Sequence, residues 1–253
     1  MTDGAALVNK RAAMELKIQI PTSEGFAPAL LHFQRGGTRF RGTVLVYHGF
    51  AASKDVQGKE CEALARAGML AVAVDAVGHG ERRFPDLEHR VQLHDMLDLV
   101  NRSASELPSI VSALEALLGT RAGRFGVTGI SMGGYIAWAA PSREPRLQAV
   151  VPVLGSPDWS IGARLDDPLL ELSPNLAPQS FAPRALLALN AGRDQSVPPA
   201  ASRTFVDELR PLYREAPDRL DYREYPESEH LMREQDWNDL WSRVVRWMER
   251  FLG

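Results

Sequence analysis

The chain has 253 residues, 45% of them hydrophobic, and a formal net charge of −3. That much apolar material excludes a disordered chain and is enough for one large α/β core. The charge carries no basic excess, which excludes nucleic acid and an anionic membrane surface as obvious partners and leaves a small or neutral molecule.

Cys61 is the single cysteine, so neither an intramolecular disulfide nor a multi-thiolate metal site can form within the chain. The first ten residues lack the long apolar stretch of a secretory signal. No later run is long enough to span a bilayer, so a soluble, cytoplasmic protein is expected.

Met14, Leu16, Ile18 and Ile20 alternate with polar residues until Pro21 stops the run. Leu31 and Phe33 suggest a second strand before Gly36-Gly37, giving two antiparallel strands at the start, with His32 facing solvent. Residues 43–47 form a continuous apolar run of buried-strand type, followed by His48-Gly49-Phe50 and a polar loop. A helix is expected over residues 55–67, ended by Gly68, with Cys61 on its packed face near Leu64. Residues 69–74 read as another buried strand, closing on Asp75.

Between Gly78 and Pro108 the chain is charged, although Leu93, Met96, Leu97 and Val100 keep helical spacing. Pro108 then restarts a helix with Ile110, Leu114 and Leu117 on its core face. Strands are expected over residues 125–129, 149–154, 185–190 and 220–225, and a helix over residues 199–212 with Phe205 and Leu209 inward. Residues 155–183 are rich in Pro, Ser and Asp and too long for a simple loop, which marks a candidate lid or cap. Trp237, Leu240, Trp241, Val244, Val245, Met248, Phe251 and Leu252 trace one face of a final amphipathic helix. Strands and helices alternating in this way predict a single domain over residues 1–253, with a mostly parallel sheet of about eight strands covered on both faces.

Gly129-Ile130-Ser131-Met132-Gly133 joins the strand at 125–129 to a run of small residues, and reads as a nucleophile elbow. A tight strand-to-helix turn would lift Ser131 into a cleft, with flanking glycines leaving room for it to pack. A serine hydroxyl needs a base in hydrogen-bond reach and a third group to orient that base. Asp194 lies just past one strand, in Gly192-Arg193-Asp194-Gln195-Ser196-Val197-Pro198, and His230 lies just past the last strand. In a parallel sheet those loops converge on the edge from which Ser131 emerges.

With these segments the chain resembles an α/β-hydrolase over nearly its whole length. The order Ser131, Asp194, His230 is that fold's order, and His48-Gly49-Phe50 after a buried strand is similar to its first oxyanion loop. Asp75-Ala76-Val77-Gly78-His79-Gly80 resembles the Asp-x-x-Gly-His-Gly segment of small esterases in the superfamily, and the segment around Asp194 is equally typical. The resemblance implies a serine esterase of the carboxylesterase kind. His230 would be the general base, Asp194 its orienting acid, and the backbone amides of Phe50 and Met132 the oxyanion donors, worth roughly 3 kcal/mol each. It implies no cofactor and no metal.

Each assignment has a plainer rival. Ser131 could close a structural glycine-rich turn and His230 could be a surface histidine, but their placement beside strand ends argues otherwise. Asp158, after the preceding strand, competes with Asp194 for the role of acid. His48 and His79 read as structural histidines, and the spacing of His89 and His94 is poor for a metal. Trp159 and Phe84 are candidates for an apolar substrate pocket, with core packing as the alternative. A thioester, lactone or short peptide would use the same machinery. A non-catalytic binding protein on the same scaffold is the alternative from another class. The expected partner is a small ester; self-association into a homodimer is left open.

Overall fold

The computed structural model describes residues 13–36, 39–87, 93–160 and 166–253. Eight strands form one sheet: β1 (Ala13–Thr22), β2 (Gly25–Gln34), β3 (Gly42–Tyr47), β4 (Leu70–Val74), β5 (Arg124–Ile130), β6 (Leu147–Val153), β7 (Ala185–Ala191) and β8 (Leu220–Tyr225). Their spatial order is β1-β2-β4-β3-β5-β6-β7-β8. Strand β2 pairs antiparallel with both β1 and β4, and every other pairing is parallel. The expected antiparallel start is the β1–β2 pair, in which β2 is the strand that runs against the rest of the sheet.

Among the described residues six α-helices flank the sheet: α1 (Gly58–Arg66), α2 (Leu93–Ser105), α3 (Leu107–Leu118), α4 (Met132–Arg143), α5 (Ala200–Leu209) and α6 (Glu234–Leu252). The central strands are apolar throughout because alternate residues feed two cores. In β3, Leu45 and Tyr47 join the layer of α2 to α5, while Val44 and Val46 join the layer of α1 and α6. Helix α4 is buried from Met132 to Pro141, as a helix apolar on all sides must be. No described helix is long and apolar enough to cross a membrane.

Two expectations fail. His32 is only 3% exposed rather than solvent-facing, because β2 lies between β1 and β4 and α1 packs over it. Leu117, expected in the core, is 57% exposed. The packed face of α3 is instead Leu107, Ile110, Val111 and Leu114.

The parallel register aligns the ends of the strands that carry the candidate residues. Tyr47 at the end of β3 pairs with Gly129 in β5, Ile130 with Val153 in β6, and Ala191 in β7 with Tyr225 in β8. The loops after these strands all leave from one edge of the sheet. After β6, the described part of residues 155–183 is a series of short 3-10 turns at Pro168–Leu172, Pro174–Leu176 and Pro178–Ser180. The first of these packs on α2 and the second on α4.

Candidate active site

Ser131 separates β5 from α4 and has φ +56° and ψ −115°, a left-handed conformation rare for a residue with a side chain. Its amide donates to the Val153 carbonyl at 2.9 Å, tying the turn to β6. The glycines on either side are demanded by close approach. A Cβ on Gly129 would sit 2.4 Å from the Gly133 carbonyl oxygen, and one on Gly133 would sit 2.3 Å from that of Tyr47. The turn can be this tight only without side chains at those positions. Helix α4 starts directly after Ser131, so the positive end of its dipole faces the serine.

His230 Nε2 lies 3.0 Å from Ser131 Oγ, and its Nδ1 lies 2.6 Å from Asp194 Oδ2. A carboxylate can only accept, so the proton sits on Nδ1 and the Nε2 lone pair faces the serine hydroxyl. The other Asp194 oxygen, Oδ1, accepts the amides of Ser196 (2.9 Å) and Val197 (2.8 Å). The Asp194 side chain is fully buried, whereas that of His230 is 27% exposed and reachable from solvent. Asp158 lies elsewhere in the hydrogen-bond pattern: its Oδ1 accepts the amide (2.9 Å) and hydroxyl (2.6 Å) of Ser160.

The loop after β3 runs beside the elbow. A Cβ on Gly49 would be 3.7 Å from Ser131 Cβ. Phe50 follows, and neither its amide nor that of Met132 has a backbone acceptor among the described residues. For Met132 this is the ordinary state of the first amide of a helix. His48 is buried; its Nδ1 donates to the Gly49 carbonyl (2.8 Å) and its Nε2 accepts the Ala76 amide (3.1 Å). Burial pushes its pKa down to about 4, so the ring is neutral and structural. His79, also buried, packs with ring centroids 5.3 Å from both His48 and Phe50.

Phe84 shares a small apolar cluster with Phe50, Val77, Leu87 and Leu99, and the Arg102 guanidinium lies 5.4 Å from its ring centre. Trp159 belongs to the main core and is 1% exposed, its amide donating to Ser173 Oγ at 2.9 Å. The two aromatics thus sit in different clusters. Cys61 is buried, which raises its thiol pKa. His89 lies outside the described residues, and His94 Nδ1 bonds Asp167 Oδ2 at 2.5 Å.

Sequence reasoning missed Lys54, whose ammonium is buried 3.1 Å from Asp75 Oδ2. In the sequence Asp75 stands out only as part of a motif. Its partner lies 21 positions earlier, at the start of the 3-10 turn Lys54–Gln57, where no periodicity marks it.

The family described as Hydrolase_4, serine aminopeptidase S33, matches residues 38–183, more than half of the chain. YitV of Bacillus subtilis (strain 168) is 29% identical over 229 residues, 81% of this chain and 89% of that protein. Esterase YjfP of Escherichia coli (strain K12) is 30% identical over 139 residues, about half of each chain. Among solved structures, TT1662 from Thermus thermophilus superposes with a TM-score of 0.77 at 21% identity, covering 95% of this chain and 99% of that one. The esterase Pf2001 of Pyrococcus furiosus gives 0.70 at 18% identity, covering 95% and 93%. At such identities these structures speak for the fold alone. With the reversed second strand, the parallel sheet and the turn at Ser131, the family match makes this chain a member of the Hydrolase_4 (serine aminopeptidase, S33) family and a hydrolase of the α/β-hydrolase superfamily.

Proposed function

We propose that the protein is a serine esterase of the carboxylesterase kind, acting on a small ester through an acyl-enzyme on Ser131. The observation that carries this reading is the relay from Ser131 Oγ through His230 to Asp194, at 3.0 and 2.6 Å. His230 Nε2 takes the hydroxyl proton as Oγ attacks the ester carbonyl carbon, and the carbonyl electron pair moves onto oxygen. The amides of Phe50 and Met132 receive that oxyanion, backed by the α4 dipole. Collapse breaks the bond to the leaving oxygen, which departs as the alcohol with the proton from Nε2. Water then gives a proton to His230 and attacks the acyl carbon. The acid leaves and Ser131 Oγ regains its proton. Asp194 keeps the imidazole in the required tautomer and stabilises the imidazolium.

In this reading Phe50 and Phe84 form an apolar wall of the substrate site, supported from the core by Trp159, and residues 155–183 act as a cap within a single catalytic domain. A cytoplasmic location fits a lone, buried cysteine. The test is a p-nitrophenyl ester series from acetyl to long acyl chains, with fluorophosphonate labelling of the parent and of Ser131→Ala. Turnover and an adduct in the parent, both lost in Ser131→Ala, are expected. Absence of an adduct in the folded parent would favour a binding protein instead. The aminopeptidase description of the matched family favours a second reading, cleavage of a short peptide by the same groups. Faster turnover of aminoacyl p-nitroanilides than of any ester would select it.

A further inference from the structure

The loop that carries the Phe50 amide is held at both ends by the loop that follows β4. At its start, His48 Nε2 accepts the Ala76 amide. At its end, Asp75 Oδ1 accepts the Lys54 amide at 2.8 Å and Asp75 Oδ2 accepts Lys54 Nζ at 3.1 Å. Asp75 Oδ2 also accepts the Glu81 amide at 3.0 Å, and Lys54 Nζ donates to Glu81 Oε1 at 2.5 Å, closing a ring of bonds between the two loops. The side chains of Lys54 and Asp75 are 2% and 0% exposed. A Cβ on Gly80 would lie 2.1 Å from Asp75 Oδ1, so the carboxylate has its place only because residue 80 is glycine.

Burial on its own would favour a neutral lysine. The bonds to Glu81 and Asp75 outweigh it and hold the Lys54 pKa above its ordinary value. A buried ion pair is a poor source of stability, because the desolvation of both charges offsets their attraction. What this pair supplies is a fixed distance. Between its two anchors the loop contains Gly49, Phe50 and Ala51, and Ala51 is itself at φ +59°, a conformation that its surroundings must impose.

We propose that Lys54 and Asp75 are positioning residues that set the Phe50 amide at the place where the oxyanion develops. The proposal rests on the assignment of that amide as an oxyanion donor. A donor aimed at charge that appears only in the transition state changes kcat and not substrate binding, so the clamp should act on kcat alone.

The test uses the full chain carrying Lys54→Met, with Glu81→Gln as a milder second variant. Glu81 has a side chain 36% exposed, and the change loosens Lys54 without leaving Asp75 unpaired. Each is assayed for kcat and KM on a short p-nitrophenyl ester and for affinity to a trifluoromethyl ketone, whose adduct places an oxyanion in the site. Lys54→Met is expected to lower kcat about 10- to 100-fold with KM nearly unchanged, and to weaken the ketone by a similar factor. Glu81→Gln is expected to move the same two quantities about threefold. A folded Lys54→Met with the parent's kcat overturns the proposal. If Lys54→Met does not fold, an unchanged kcat in Glu81→Gln does so. Ser131→Ala, run alongside, separates the two levels: full turnover there overturns the reading of an acyl-enzyme on Ser131, whereas an inactive Ser131→Ala beside unaffected clamp variants overturns only the clamp.

Discussion

The amide of Arg193 donates to the carbonyl of Ser228 at 2.9 Å, and this bond joins the loop of Asp194 to the loop of His230. The neighbouring Gly192 amide donates to the Tyr225 carbonyl at 2.8 Å. Asp194 and His230 are therefore carried by one stapled unit at the ends of β7 and β8.

Gly192 makes that unit testable without touching a polar group. A Cβ there would be 2.7 Å from Pro226 Cα, so Gly192→Ala must push the two loops apart. The expected result is a fall in kcat of about 10- to 100-fold in a protein that still folds, measured by ester turnover beside a thermal melt. An unchanged kcat would mean that the relay tolerates separation of its loops.

Asp194→Asn and Asp158→Asn decide between the two candidate acids. Asparagine at 194 would offer the imidazole the wrong tautomer, and kcat is expected to drop on the order of 10⁴-fold. The Asp158 carboxylate accepts from Ser160 in its own turn and not from His230, so its replacement should leave kcat within about twofold. Loss of activity at Asp158 alone would reverse the assignment.

Stability should fall on acidification before any carboxylate with a lowered pKa titrates. His48 is held neutral down to about 4, against an ordinary value of 6.5, so between these limits the unfolded chain binds more protons than the folded one. Folding stability is fully present above about pH 6.5 and is lost progressively toward pH 4, with His48 contributing up to about 3 kcal/mol. Burial lowers the pKa of His32 and His79 as well, which adds in the same direction. Urea unfolding at pH 7.5, 6 and 5 would measure the slope. His48→Gln is expected to flatten it, and an identical slope in that variant would refute the assignment.

Much of the frame was legible because its signals are local. Continuous apolar runs mark β3 to β7, and the elbow, Asp194 and His230 each sit beside a strand end recognisable from neighbouring residues. What escaped depends on elements distant in sequence. His32 follows an alternating pattern that suits an exposed face, and only the packing of α1 buries it. Leu117 has the helical spacing of a core residue, but α3 meets the sheet at its edge strand, β1. There Leu117 lines a groove of about 300 Å³ with Ile18 and Ile20. Lys54 looks like any loop lysine until Asp75 and Gly80 make a buried place for its charge.

The backbone of Ser131 has a consequence for how the position would evolve. At φ +56° a glycine would be free of the steric penalty that any side chain meets, a difference of about 1 kcal/mol or more. Ser131→Gly should thus raise the melting temperature while abolishing turnover. On the esterase reading proposed above, the hydroxyl at this position is a compromise in which the protein gives up part of its folding margin to hold a reactive oxygen.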